Sequence, residues 1–220
     1  MYVYADNAAT TALSKTALEA MMPCFQEEYA NPSSLHTPGQ RAAEKLAQAR
    51  EIFARHLHAD PREITFTSGG SEADTQALRS AAALGARQGK RHIISTRFEH
   101  HAVLHTLAAL EKEGFAVTLL DIPPDGVVTA TAVREALRPD TCLVSVMFAN
   151  NEIGTIQPIE QIGRVCREAG CCSTPTRYRL PDICPSMWRR CRLICCLSQL
   201  ISSTAPRAWA YCMPGGASLW

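Results

Sequence analysis

Three short polar clusters in this chain have residue types that chemistry could use. The first is Thr67-Ser68-Gly69-Gly70-Ser71. Its glycines would let the backbone approach a ligand closely, and a helix opening there would offer unpaired N–H groups to an anion such as a phosphate. The spacing is neither a P-loop nor a dinucleotide fingerprint, so taken alone a glycine-rich turn with a serine cap is slightly the better reading. The second cluster is Arg97-Phe98-Glu99-His100-His101. One of its imidazoles could stack on a ring or move a proton, although adjacent residues at a helix start diverge and only one is expected to face a site. A lone pair of this kind is more often surface than catalytic. The third is Ala149-Asn150-Asn151-Glu152. Two amides and a carboxylate after an apolar run are poor choices for packing, and the plainer alternative is an Asx-turn that stabilises the loop.

The elements around these clusters follow a rhythm. The pattern predicts a helix from Ser14 to Tyr29, capped by Ser14, with Ala17, Leu18, Met21, Met22 and Phe25 on one packing face. A loop at Asn31-Pro32-Ser33-Ser34 leads to a second helix, Pro38 to Leu57, with Pro38 near its first turn. Strands and helices then alternate. Strands are predicted at Glu63–Thr67, His92–Thr96, Ala116–Asp121 and Cys142–Phe148. Helices are predicted at Ser71–Ala86, His100–Glu113, Ala130–Leu137 and Ile159–Glu168. Such alternation implies βαβ units and a mainly parallel sheet covered on both faces. Sites in such sheets gather at the carboxyl ends of the strands, which is where the three clusters fall.

Composition divides the 220 residues at Gly170. Residues 1–170 hold all seven histidines, all four lysines and 20 of the 21 acidic residues. Residues 171–220 hold seven of the ten cysteines, all three tryptophans, six arginines and only Asp182 as an acid. The net charge of +1 therefore hides −4 before the seam and +5 after it. The first part has no basic footprint for nucleic acid, and lone arginines among apolar residues make the tail a weak one. No charged-then-apolar leader and no apolar run of about 18 residues is present, so neither membrane nor export is expected and the location expected is cytoplasmic. In that compartment the cysteines would be thiols or ligands. The tail has no Cys-x-x-Cys pair and no histidine, which argues against a metal-binding module, and no metal-ligating residues are assigned.

Five ordered motifs carry a resemblance. They are Asp6-Asn7-Ala8-Ala9-Thr10-Thr11, Asn31-Pro32-Ser33-Ser34, Phe66-Thr67-Ser68-Gly69-Gly70-Ser71-Glu72, Glu99-His100-His101-Ala102-Val103 and Asn150-Asn151-Glu152-Ile153-Gly154. In order and spacing they resemble the cysteine desulfurases of the class V aminotransferase family, over less than half of such a protein. The resemblance implies part of a fold-type-I pyridoxal-phosphate large domain, α/β with a mainly parallel sheet flanked by helices, over residues 1–170, and an irregular tail over 171–220. It implies pyridoxal 5′-phosphate as cofactor, with Gly70 and Ser71 binding the phosphate. His100 would stack on the ring and help proton transfer, and Asn151 would bond the ring hydroxyl. The family's substrate is L-cysteine. Its sulfur leaves as a persulfide on an enzyme cysteine, for iron–sulfur cluster or thio-cofactor assembly through an acceptor or scaffold protein, and alanine remains. Intact relatives are expected to be dimers.

Three family elements should follow residue 170: an Asp for the pyridinium nitrogen, a Gln close behind, and a Ser-x-His-Lys segment whose lysine holds the cofactor covalently. None is present, and neither is the sulfur-accepting cysteine loop; no lysine follows Lys112 and no histidine follows His105. The genetic code accounts for this. If each new codon takes the last base of one observed codon and the first two of the next, Leu-Phe-His-Thr-Asp-Ala-Val-Gln-Ala can be read across Cys171 to Leu180. Ser-Ala-His-Lys-Phe-His-Gly-Pro-Lys-Gly can be read across Ser198 to Trp209. The lost Asp falls across Pro175 and Thr176, and the lost Lys across Ile201 and Ser202. The tail is thus expected to be a frameshifted translation and the chain inactive. Two alternatives follow from the sequence: a non-catalytic remnant that pairs with an intact homologue, and a cysteine-rich metal-binding protein. An incomplete sheet would also expose apolar surface and lower solubility.

Overall fold

The computed structural model describes residues 3–5, 12–57, 59–174, 195–197 and 209–212. The motif at 6–11 lies outside the described residues. Helices α1 (Lys15–Gln26) and α2 (Thr37–Leu57) come first. A 3-10 turn at Pro61–Glu63 leads into β1 (Ile64–Thr67), α3 (Gly70–Arg87), β2 (His92–Thr96), α4 (His101–Lys112) and β3 (Ala116–Leu120). Then follow α5 (Ala130–Ala136), β4 (Thr141–Ser145), α6 (Ile159–Glu168) and the short strands β5 (Cys172–Thr174), β6 (Cys195–Leu197) and β7 (Trp209–Cys212).

The predicted parallel sheet is present, in the order β3-β2-β4-β5 with every pairing parallel. Strand alternation decides which helices cover it. Ile93 and Leu143 point to one face, where α3 and α4 bring Ala73, Ala77, Leu78, Val103, Leu107 and Leu110. Ile94 and Val144 point to the other, against Val133 of α5 and Ile159, Ile162 and Val165 of α6. Each fully buried Leu, Ile or Val contributes about 1.5–3 kcal/mol, so both faces are strongly specified. The α3 contact is close: a Cβ added at Gly85 would strike the Cys142 side chain.

A second sheet, β1-β7-β6, has both pairings antiparallel. The sequence reading places no strand beyond residue 148, so β5, β6 and β7 are additions. Helix α3 packs against strands of both sheets.

Two expectations are corrected. The predicted first helix ends at Gln26, not Tyr29, and only Ala17 of its packing face is buried. Leu18, Met22 and Phe25 are 47%, 38% and 68% exposed, because no described element makes an extended contact over them. The helix stops one turn after Pro23, whose carbonyl accepts from both Glu27 and Glu28 at 2.9 Å. Strand β4 ends at Ser145 rather than Phe148, because the next backbone donors and acceptors are used elsewhere. The Met147 N–H donates to Glu99, and the Phe148 carbonyl accepts from Gln157 at 2.7 Å.

His92 is a buried imidazole with both nitrogens engaged. Thr141 Oγ1 lies 2.7 Å from Nδ1 and accepts the Arg138 N–H at 2.8 Å. Thr118 Oγ1 lies 2.8 Å from Nε2, so the neutral ring has a hydroxyl to donate to and one to accept from in either tautomer. Burial, aided by the charge of Arg138, holds His92 below its ordinary 6.5. As pH falls, the unfolded chain takes up this proton first. The stabilisation is full above the unfolded value and is lost as pH falls below it. His100 is shifted the same way. The urea midpoint is expected to drop between about pH 7.5 and about pH 5.5, and His92→Gln to flatten that drop. An equal drop in parent and variant would contradict this origin.

Candidate functional site

The three polar clusters lie at the carboxyl ends of β1, β2 and β4; β2 and β4 are paired, and β1 belongs to the antiparallel sheet. Gly69 is the N-cap of α3 and is extended there (φ 175°), with no side chain to cap the helix. The first-turn N–H groups of Gly70 and Ser71 therefore belong to an uncapped helix N-terminus, the arrangement that suits an anion. Ser71 is exposed beside them. The sequence reading makes Ser71 the cap, whereas the structure puts it one residue inside the helix. Ser68 turns the other way: its N–H and hydroxyl donate to Glu72 Oε2 at 2.6 and 2.5 Å. Those two bonds hold the Glu72 carboxyl below the usual carboxylate range.

His100 is the N-cap of α4, and its Nδ1 accepts the Ala102 N–H at 3.1 Å. That bond leaves the neutral ring's proton on Nε2. Burial pushes the His100 imidazole below its ordinary value, and the neighbouring charge of His101 adds to the shift. His100 is thus a neutral, half-buried ring, suited to lie against another flat ring. His101 diverges outward and is exposed, as expected for adjacent residues at a helix start.

The starts of α3 and α4 are held side by side. Thr75 and Thr106, each five residues into its helix, share a hydroxyl contact of 3.1 Å. The β2 and β4 loops are tied by two further bonds. Buried Glu99 accepts the Met147 N–H through Oε1 at 2.5 Å, and Asn150 Nδ2 donates to the Phe98 carbonyl at 3.2 Å. Sequence reasoning gives Glu99 no role, although a carboxylate between a strand and a histidine was a signal for one.

The two asparagines divide their work. Asn150 is buried and builds the Asx-turn, with Oδ1 accepting from Glu152 and Ile153 N–H at 2.8 and 3.0 Å. Asn151 is exposed at the tip of that turn. The plain structural reading therefore belongs to Asn150 and leaves Asn151 for a ligand. Gln157, which the sequence reading does not single out, closes the loop from below. It accepts the Val128 N–H and donates to the Gly126 carbonyl, both at 2.8 Å. In the Asn31–Ser34 motif, Asn31 Oδ1 accepts the Ser33 N–H at 2.9 Å, which makes a tight turn before α2.

A parallel α/β sheet with an uncapped helix start after β1, a half-buried histidine after β2 and an exposed amide after β4 is an arrangement that can take a phosphate-bearing ring compound. The chain belongs to the class-V aminotransferase family, whose model (Aminotransferase class-V) matches residues 3–174. Within it the chain is similar to cysteine desulfurases. It is 49% identical over 166 residues to cysteine desulfurase IscS of Clostridium botulinum (strain Kyoto / Type A2), which covers 76% of this chain and 42% of that protein. It is 48% identical to putative cysteine desulfurase IscS 1 of Bacillus subtilis (strain 168), over 76% of this chain and 44% of that one. The chain thus spans about two fifths of the length of these curated relatives. Among solved structures, a NifS-like protein superposes with TM-score 0.90 and 32% identity, covering 99% of this chain and 60% of its own. SspA in complex with cysteine superposes with TM-score 0.86 and 35% identity, covering 96% and 61%.

Proposed function

We propose that residues 3–174 are the cofactor-holding part of a pyridoxal-phosphate-dependent cysteine desulfurase, and that the chain as it stands lacks the lysine to complete it. The observation that carries the reading is the joining of three segments: the α3 start with Gly70 and Ser71 to the α4 start with His100 through Thr75 and Thr106, and the His100 loop to the Asn151 loop through Glu99 and Asn150. The donor set fits the group. The uncapped α3 terminus and the Ser71 hydroxyl would hold the phosphate. His100 would lie on the pyridine face with its proton on Nε2, able to donate while Nδ1 stays fixed by Ala102. Asn151 would donate to the ring hydroxyl. When bound, pyridoxal phosphate supplies an electron sink for cleavage at the substrate's carbons. Substrate would be L-cysteine, with sulfur passed to an acceptor protein, in keeping with the IscS relatives.

The lysines support the second half of the proposal. Lys90 and Lys112 lie at the amino ends of β2 and β3, opposite the site. Lys45 is paired with Glu28, and Lys15 lies 3.7 Å from Glu19 on the surface. The other reading frame supplies what these cannot. Besides the two runs above, it reads Leu-Leu-Ser-Leu across Ile194 to Ser198 and Val-Gly-Val-Leu-Tyr-Ala across Ala208 to Pro214. These apolar runs fall on β6 and β7. It also explains the cysteine pairs, since leucine codons ending in TG become cysteine codons one base later. The sequence likeness covers 76% of the chain, whereas the backbone likeness covers 99%.

Titration of the chain with pyridoxal phosphate tests the site. Binding is expected to be weak, reversible on dialysis and competed by inorganic phosphate. It should weaken in His100→Ala while the urea midpoint at neutral pH changes by about 1 kcal/mol or less in free energy, the scale of one cap. Binding unaffected by phosphate and by His100→Ala would place the cofactor elsewhere.

A further inference from the structure

We propose that His101 and His105 form a chelating site for a divalent transition-metal cation of the imidazole-seeking class: Cu²⁺, Ni²⁺ or Zn²⁺. Neither residue has a part in the cofactor reading, and the proposal stands whether or not that reading holds. The pair is separated by one helical turn of α4, so both side chains lie on the same face. Val103, Thr106, Leu107 and Leu110 anchor the helix to the core through its other face, and His101 and His105 are both exposed. The packing therefore fixes the pair outward.

The two rings are neighbours on the helix surface, with centroids 5.9 Å apart and planes inclined by 31°. A metal bound by two imidazole nitrogens at about 2.0–2.1 Å, in neighbouring coordination positions, holds the ring centroids about 4.5–5.2 Å apart, so closing the pair takes a small rotation of two exposed side chains. Preorganisation matters here, because the helix has already met the entropy cost of bringing two ligands together. Among the described residues no third His, Cys, Asp or Glu completes a cluster. The cation would keep its remaining positions for water or an external ligand. A two-imidazole set gives the order Cu²⁺ above Ni²⁺ above Zn²⁺, with binding lost in acid because the ligands must be neutral.

The test is calorimetric titration of the full chain with Ni²⁺ after exposed thiols have been alkylated, which removes the cysteines as competitors. One Ni²⁺ per chain is expected. Affinity should fall by roughly 10²-fold in His101→Ala and equally in His105→Ala, because either change removes the chelate. Both residues are exposed, so neither variant should lose the fold. His56→Ala, on α2, should bind as the parent does. Absence of binding by the parent, full affinity in either α4 variant, or a loss in His56→Ala would overturn the proposal.

Discussion

Moving the frame by one base after Gly170 is expected to turn an inert chain into a working enzyme. The chain as translated should release no alanine from L-cysteine above the level of free pyridoxal phosphate. The frame-shifted product, read on to the length of the relatives, should gain at least roughly 10²–10⁴-fold, the range of one positioned proton-transfer group alone. On the proposed reading the site offers a phosphate cradle, a ring face and an amide, yet all four lysines of the chain are at the far end of the sheet or on α1 and α2. A lysine read across Ile201 and Ser202 would stand between β6 and β7, and β7 pairs directly with β1, whose carboxyl end carries the cradle. The nucleotide sequence around codons 168–172 should show a one-base offset from intact relatives. An inactive frame-shifted product, or a gene with no offset, would sink this part of the account.

The second large effect is expected at Glu99. Its carboxylate is 5% exposed and holds the Met147 N–H at 2.5 Å, where β4 has left the sheet. Glu99→Ala removes the acceptor and leaves a buried donor without it, which costs about 1–3 kcal/mol. For a chain of this size that lowers the melting temperature by roughly 5–10 °C. Glu99→Gln keeps an acceptor and should cost about half as much. The neighbouring peptide belongs to His100, so cofactor affinity should fall in the same order, alanine more than glutamine. Glu99 acts here as a positioning residue. If Glu99→Ala melts like the parent, the tie between the two loops does not hold the site.

Much of this arrangement was legible in the residues. The β-branched run His92–Thr96 gave β2 its bounds, and Ile159–Glu168 gave α6 its bounds, because local pattern and tertiary burial agree there. The pattern misjudged Leu18, Met22 and Phe25, because an amphipathic stripe tells that a helix has a packing face and not whether its partner is present. It overextended β4, because Val146 and Met147 are as buried as strand residues while their backbone bonds go to a loop. At the site, the family resemblance named Gly70, Ser71, His100 and Asn151, while residue types alone pointed only to the three clusters. What they could not give was the division between Asn150 and Asn151, or the roles of Glu99 and Gln157, since these depend on contacts between loops about 50 and 30 residues apart in sequence, closures whose length no local propensity encodes. The short strands β5 to β7 were illegible for a different reason: the three or four residues that form each of them are too few to carry a strand pattern.

The central claim is that this chain carries the holding half of a cofactor site and not the lysine. It is tested most directly by borohydride reduction of the chain saturated with pyridoxal phosphate, followed by intact-mass measurement and peptide mapping. No site-specific mass gain is expected on this chain, and a single cofactor fixed on one lysine is expected on the frame-shifted product. Stoichiometric fixation on Lys15, Lys45, Lys90 or Lys112 of the chain as translated would contradict it.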